Sequence, residues 1–401
     1  MRIAIFTPFF SAGNEMDSGI GIHYRDLAIG LKLRGNDVEV FHLPYDLTTS
    51  RSWFFQGIPI HSIGLNNPKI PYFMGIGKLC KLFKFFHFFE ASQLFSKPKR
   101  KFQNLNRAKP FDVIEASSNR GVAYGVSTLV ERPPIFTRVS TLMNQAFNSE
   151  DCVAGLNHKI AAWFEKKQIH KSEFRVTHTQ SHASLVTDLI HLKQNDFSII
   201  PHGITNSKFV SKDYPKPKSS KILKVLFVGK SEYRKGFDTL ITSIPQIIKE
   251  FPLIQFDICG TGEMNEKAES DFHRLGLQNV FFHGYKSRSS LELFYSECDI
   301  FVAPSRYESF GIIYLEAMRH SKPIIACNTG GTPEVVSHGK SGLLIDPGNP
   351  SQLTKAIIDL AKNKALRKSM GINGKDRIKK KFSMEKLLDV TFMHYKKISL
   401  N

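Results

Sequence analysis

The chain is short of the features that fix a protein's class at a glance. Its five cysteines (Cys80, Cys152, Cys259, Cys298 and Cys327) are scattered, odd in number and include no Cys-x-x-Cys pair. That argues against a disulfide framework or a zinc ribbon and for a reducing compartment, so a cytoplasmic protein is expected. No run of about 18 apolar residues occurs, so no span across a bilayer is expected. The opening Met1-Arg2-Ile3-Ala4-Ile5-Phe6-Thr7-Pro8 has too short an apolar stretch for a signal peptide. Asp-x-Asp, a common metal-holding pattern, is absent. The nearest match, Asp37-Val38-Glu39, falls in a strand pattern and reads as solvent-facing. Acidic residues are also scarce, 36 against 55 Lys and Arg, which leaves a net charge of +19. Such a surplus calls for an anionic partner, and nucleic acid, phospholipid and a nucleotide-linked substrate all qualify.

What is present is ordinary globular material: 401 residues, 41% apolar and 23% charged, enough for two domains with separate cores. Short apolar runs alternate with helical patterns in both halves, which predicts parallel sheets covered by helices. In the first half Arg2–Phe6, Val38–Leu43, Asp112–Glu115 and Ile135–Val139 read as strands, and Gly21–Arg34 as a helix. Around Thr205–Lys221 the composition turns to Asn, Ser, Lys and Pro, the best linker candidate. The pattern then restarts. Lys224–Val228, Gln255–Cys259, Val280–Phe282, Ile300–Ala303 and Pro323–Ala326 read as strands, and Gly236–Phe251, Gly311–Arg319, Ser351–Leu360 and Ala365–Lys381 as helices. The expected fold is α/β: two doubly wound, Rossmann-like domains, 1–206 and 207–383, with a ligand cleft between them. A C-terminal helix, 384–401, is expected to pack back on the first.

The segment richest in chemistry is Pro304-Ser305-Arg306-Tyr307-Glu308-Ser309-Phe310-Gly311-Ile312-Ile313-Tyr314-Leu315-Glu316. It runs from a strand end through a polar turn into a helix, whose N-terminal amides at Phe310, Gly311 and Ile312 suit an anion. Glu308 and Glu316 would stand about 12 Å apart on a continuous helix. Taken alone, the pair reads more readily as a helix cap and a solvated face residue. Upstream, Val228-Gly229-Lys230 ends a strand and Arg234-Lys235-Gly236 opens a helix, so Lys230 and Lys235 form a candidate diphosphate clamp or a lysine-rich surface loop. Cys259-Gly260-Thr261-Gly262 is another strand-end turn, weak by itself. Ser18-Gly19-Ile20-Gly21 follows the first strand. Tyr24 stands where a dinucleotide fingerprint needs its third glycine, so this is no NAD site.

Together these residues resemble the family 4 glycosyltransferases, retaining nucleotide-sugar enzymes of the GT-B architecture. The resemblance covers Ser18–Gly21, Ile200–Ile204, Phe227–Gly236, Ile258–Gly262 and Pro304–Pro347. It implies that Glu316 binds the donor ribose and that Glu308 lies near the donor sugar. Ser309 and the Phe310-Gly311-Ile312 amides would lie at the sugar or phosphates, with Gly19, Gly21, Gly229 and Gly260 lining the phosphate loops. Lys230, where the family usually has Arg, and Lys235 would neutralise the leaving diphosphate, and Tyr285 would offer a backbone contact to the base. Three positions depart from the family: Ser18 replaces the first glycine of its loop, His202 replaces an Asn, and Ser140 stands where a His is common. That last change leaves Arg138 or Ser140 as the acceptor-side candidates. The implied reaction transfers a sugar from a UDP- or GDP-linked donor to an acceptor hydroxyl in polysaccharide, lipopolysaccharide or glycolipid synthesis, with no metal and no further cofactor. The rivals are a sugar-nucleotide epimerase on the same plan and a basic nucleic-acid-binding protein. For the latter no binding module is recognisable.

One basic, phenylalanine-rich insertion near 70–109 stands apart. Between Gly77 and Glu90, Leu79, Leu82, Phe83, Phe86 and Phe89 share a helical arc opposite Lys78, Lys81, Lys84 and His87. Glu90 is the only acidic residue from Lys78 to Lys109. Such a helix suits an anionic membrane surface, each nearby basic residue contributing about 1 kcal/mol. It equally suits a helix whose phenylalanines complete the first core.

Overall fold

The structure, a computed structural model, describes residues 1–12, 18–44, 49–64, 95–143, 156–205 and 222–399. The heart of the basic insertion, 78–94, and the linker residues 206–221 lie outside these. The chain divides into two compact units. The first comprises Met1–Thr177, Ala183–Ile200 and Leu388–Asn401, and the second His178–His182 and Pro201–Leu387.

The first unit is built on an eight-stranded sheet of order β3-β4-β2-β1-β5-β6-β7-β8. Its strands are β1 (Arg2–Thr7), β2 (Asp37–His42), β3 (Arg51–Phe55), β4 (Ile58–Ser62), β5 (Val113–Ser117), β6 (Ile135–Arg138), β7 (Phe174–Thr177) and β8 (Ser198–Ile199). Every pairing is parallel except the β3–β4 hairpin. Helices α1 (Gly19–Leu33), α2 over 95–108, α3 (Leu156–Lys171) and α4 (Gln180–Ile190) accompany the sheet. All six residues of β1 are buried, as a strand covered on both faces requires. On one side Phe6, Phe41, Phe102 and Phe111 form an aromatic core, with Phe6 and Phe41 stacked at 4.5 Å.

The hairpin reverses at Gln56 and Gly57, both at positive φ, the geometry that a two-residue turn matching the strand twist needs. It draws His61 over Glu39. The expectation of a solvent-facing Asp-Val-Glu is therefore corrected for Glu39, which is buried, paired with Arg2 and bonded to His61 Nε2 at 2.9 Å. Burial would raise its pKa, but the bonds from His61 and Arg2 outweigh that and hold the carboxyl below its ordinary value.

Arg138 is likewise interior, not a ligand-facing guanidinium. It is 2% exposed, donates to Glu115 Oε1 at 2.9 Å and to Thr391 Oγ1 at 3.2 Å. Glu115 accepts a second bond from the Tyr395 hydroxyl at 2.6 Å. Thr391 and Tyr395 belong to the last helix, Met384–Ser399, whose residues from Leu388 onward group with this unit. A second buried carboxyl, Glu165 of α3, ties the chain after β5 to the chain after β6. It accepts Ser118 Oγ at 3.0 Å and the Met143 amide at 2.8 Å.

The second unit holds a six-stranded, wholly parallel sheet of order β11-β10-β9-β12-β13-β14. Its strands are β9 (Leu223–Val228), β10 (Ile254–Cys259), β11 (Val280–Gly284), β12 (Ile300–Ala303), β13 (Ile324–Cys327) and β14 (Gly342–Ile345). Helices α5 (Phe237–Glu250), α6 (Met264–Arg274), α7 (Arg288–Glu297), α8 (Ile312–Arg319), α9 (Pro350–Lys362) and α10 (Lys364–Arg377) intervene, and α11 (Met384–Ser399) closes the chain. The strand order reverses between β9 and β12, the switch point at which such sheets bind ligands beyond their carboxyl ends. The helix expected over 365–381 stops at Arg377 and opens into a π turn, Ile378–Phe382, that keeps Ile378 and Phe382 in one buried cluster.

Burial pushes the Glu165 carboxyl up to about 8 against the opposing bonds from Met143 and Ser118. The folded state thus keeps a proton that the unfolded chain loses near about 4.3. This group's contribution to stability is complete below that value and is lost as pH rises through the folded one. Glu165→Gln, which cannot ionise, is expected to gain melting temperature relative to the parent as pH rises from about 5 to about 9 in scanning calorimetry. Identical pH slopes in the two proteins would refute the assignment.

Candidate functional site

The site-bearing residues of the second unit gather where β9, β10, β11 and β12 end. After β9 the chain turns through Tyr233–Lys235, and Gly236 enters α5 with φ 67°. A Cβ there would stand 1.9 Å from the Pro304 carbonyl oxygen, so only glycine lets this turn approach the loop after β12. Arg306 then locks the two together. Its Nη atoms donate to both Asp238 oxygens at 2.6 and 2.7 Å, and its guanidinium lies 3.6 Å over the Tyr233 ring. That fork geometry fixes direction as well as distance.

The consequence is an ion pair. Lys235 Nζ donates to Glu308 Oε1 at 2.6 Å, and Ser305 Oγ donates to the same oxygen at 3.0 Å. Glu308 is 9% exposed. Burial alone would raise its pKa, yet Lys235, with help from Arg234 and Ser305, holds it below the ordinary value. It is therefore a carboxylate at neutral pH, able to accept hydrogen bonds and unsuited to donate a proton. Behind it, Gly330 and Gly331 press on the loop: the Gly331 amide donates to the Glu308 carbonyl at 2.8 Å.

Glu308 lies outside the helix, which begins at Ile312 after Gly311 at φ 82°. The continuous-helix spacing to Glu316 therefore does not apply, and Glu316 is no solvated face residue. It is buried in α8 and accepts the Tyr295 hydroxyl at 2.9 Å on Oε2. The Phe310 ring is interior, packed edge-on against Phe382 at 5.6 Å. The amides of Phe310, Gly311 and Ile312 donate no hydrogen bond among the described residues. Gly229 and Gly260 meet backbone to backbone, since a Cβ on Gly260 would lie 1.8 Å from the Gly229 oxygen. The Gly260 amide donates to the Gly284 oxygen at 2.9 Å, and Tyr285 follows, 45% exposed. Lys230 is exposed at the end of β9, and Ser309 accepts Thr179 Oγ1 on its carbonyl at 2.8 Å.

Residues 209–377 match the family described as glycosyl transferases group 1. An uncharacterized glycosyltransferase of Methanocaldococcus jannaschii is 40% identical over 161 residues, 40% of this chain and 44% of that one. A second from the same organism is 24% identical over 99% of this chain and 98% of its own length. The solved structure of Anabaena HepE in complex with UDP and glucose superposes with a TM-score of 0.71 at 17% identity, over 98% of this chain and 99% of that one. The second unit is a glycosyltransferase domain. With the first it makes up the two Rossmann-like units of the GT-B fold.

Other expected site residues belong to the first unit. Gly19 opens α1, and Ser18 caps that helix by accepting the Gly21 amide at 3.0 Å. Ser18 therefore satisfies an amide that a glycine in its place would leave open. A Cβ on Gly21 would sit 2.7 Å from Ser11 Oγ. Ser140 Oγ is buried without a hydrogen-bond partner among the described residues. No cluster of three or more His, Cys, Asp or Glu placed to hold a metal occurs among the described residues. No described helix is long and apolar enough to cross a membrane. Cys259, Cys298 and Cys327 are buried, which pushes each thiol up to about 12 and keeps it protonated at neutral pH. Tyr295, Asp238 and Thr179 carry no motif and escape sequence reasoning.

Gly236→Ala forces a side chain into the left-handed region and against the Pro304 carbonyl. It is expected to destabilise the glycosyltransferase domain by roughly 2–4 kcal/mol in urea unfolding. A change within about 0.5 kcal/mol would show that the loop contact is not tight.

Proposed function

We propose that the chain is a retaining glycosyltransferase that moves a sugar from a nucleoside-diphosphate donor to an acceptor hydroxyl. The observation that carries this reading is the Lys235–Glu308 ion pair beside the open amides of Phe310, Gly311 and Ile312, at the switch point of a parallel sheet. HepE, of the same fold, binds UDP and glucose, and it supports a donor of that class.

In this reading the diphosphate lies against the α8 amides, with Gly229 and Gly260 allowing backbone to approach it. Lys235 keeps two N–H donors beyond the one given to Glu308, and with Lys230 it offsets the charge that develops on the leaving diphosphate. Glu308, ionised, accepts hydrogen bonds from the donor sugar, and Glu316 accepts one from the ribose. No nucleophile accompanies Glu308 among the described residues, so attack comes from the same face as departure. The bond from the anomeric carbon to the phosphate oxygen breaks while the acceptor oxygen bonds to that carbon. The acceptor proton passes to the leaving phosphate oxygen. No metal enters this scheme, since cations of the chain meet the charge. The acceptor is proposed to be a saccharide or lipid-linked sugar met at the inner face of a membrane, with the basic insertion as the docking element.

Thermal-shift titration with UDP, GDP, ADP and their sugar conjugates tests the donor site. One base is expected to raise the melting temperature, and Glu316→Ala to abolish the rise. Lys235→Ala is expected to slow transfer about 10²–10³-fold, with EDTA leaving the parent rate unchanged. No shift with any nucleotide would overturn the reading. Flotation with anionic liposomes tests docking: neutralising Lys78, Lys81 and Lys84 is expected to weaken it, and unchanged flotation would remove the membrane from the proposal.

A further inference from the structure

We propose that Tyr295 is a positioning residue whose hydroxyl holds the Glu316 carboxylate at Oε2 so that Oε1 alone reads a ribose hydroxyl of the bound nucleotide. The inference rests on the donor-site reading above and specifies how that site recognises a ribonucleotide.

Tyr295 lies on α7 and Glu316 on α8, and β12 falls between them in the chain. The Tyr295 side chain is 1% exposed and packs with Leu226, Phe301 and Ala317 in one buried cluster. Its ring lies 5.5 Å from Phe301 and stacks on His320 at 5.9 Å with an interplanar angle of 14°. His320 is in turn held by Glu292 at 2.7 Å, and Arg319 also pairs with Glu292. The phenol is therefore held in place, and its hydrogen-bond partner among the described residues is Glu316 Oε2 at 2.9 Å.

A phenol has a single proton to give, and an ionised carboxylate only accepts. Burial, with the adjacent Glu316 charge, pushes the Tyr295 hydroxyl well above its ordinary value, so it stays a donor at every physiological pH. One carboxylate oxygen is thereby committed. The other has no hydrogen bond from any described residue, and the side chain that bears it is 7% exposed. A glutamate with free dihedrals would lose rotamer entropy on meeting a ligand. One already fixed by a buried donor loses less, which is the physical content of preorganisation. A carboxylate that kept both oxygens open could also turn to accept from water or a backbone amide instead of the sugar.

Tyr295→Phe keeps the ring and its packing and removes only the donor. Calorimetric titration of the full chain with UDP, GDP and ADP, each against its 2′-deoxy form, reads the effect as a ratio within one protein. The parent is expected to prefer the ribonucleotide of its own base. Tyr295→Phe is expected to reduce that preference about tenfold by weakening the ribonucleotide while leaving the deoxy form unchanged. Glu316→Ala is expected to remove the preference, and adding Tyr295→Phe to it to change nothing more. That double variant carries the test even if the single Phe variant melts early. A preference kept intact in Tyr295→Phe would overturn the inference and leave the donor site standing, and so would an equal loss for both nucleotides. A parent that binds none of UDP, GDP and ADP would overturn the donor-site reading and this inference with it.

Discussion

The bidentate grip of Arg306 on Asp238 is the junction from which the site takes its shape. It fastens the loop after β12 to the first turn of α5, two segments about 70 residues apart in the chain that must meet at one edge of the sheet. With that junction made, Gly236 passes under Pro304, Lys235 reaches Glu308, and Ser305 finds the same carboxylate oxygen. The pair is only partly sheltered, with 19% of the Lys235 side chain exposed. Its worth therefore lies in orientation more than in stability. Glycines at 260, 330 and 331 do the complementary work of letting neighbouring loops close to backbone distance.

Two groups of charge, one from each unit, serve different ends. In the first, Glu115, Arg138 and Tyr395 form a sealed polar cluster with exposures of 0, 2 and 0%. No part of it faces solvent. Breaking such a cluster by deleting one member costs more than the cluster contributes as a whole, because a lone buried charge remains. In the second unit the charges of Lys235 and Glu308 stand at the mouth of the sheet, and Glu316 keeps an oxygen without a partner among the described residues. The first arrangement organises a core. The second keeps acceptors and donors ready for something outside the protein.

Much of this was legible in the sequence, and the reason is local chemistry. A parallel strand covered on both faces shows as an uninterrupted apolar run, so β1, β2, β9, β10, β12 and β13 stand out, as do the glycine turns that end several of them. The group of residues from Gly229 to Glu316 follows from the same signals. The rest depended on partners distant in sequence. Glu39 sits in an exposed-looking strand until the hairpin brings His61 to it. Arg138 reads as a free cation until Glu115 and the last helix enclose it. The helix read from Gly311 does begin there, at Ile312, but Glu308 stays in the loop before it, so its distance to Glu316 does not follow from helical rise. Tyr295 had no signal at all, being one aromatic among many and part of no motif, on a helix whose other buried residue is the charged Glu292.

The first unit owes part of its interior to the far end of the chain. Thr391 and Tyr395 complete the partners of Arg138 and Glu115, residues encoded some 250 positions earlier. During synthesis at about 5–20 residues per second, that gap is on the order of tens of seconds. Throughout it the first sheet waits with a charged pair only half enclosed, while every strand of the second unit has already left the ribosome. A domain that starts first thus finishes last. A nascent chain cut short by even a dozen residues has lost the lid of its first core, although each strand of both sheets is present.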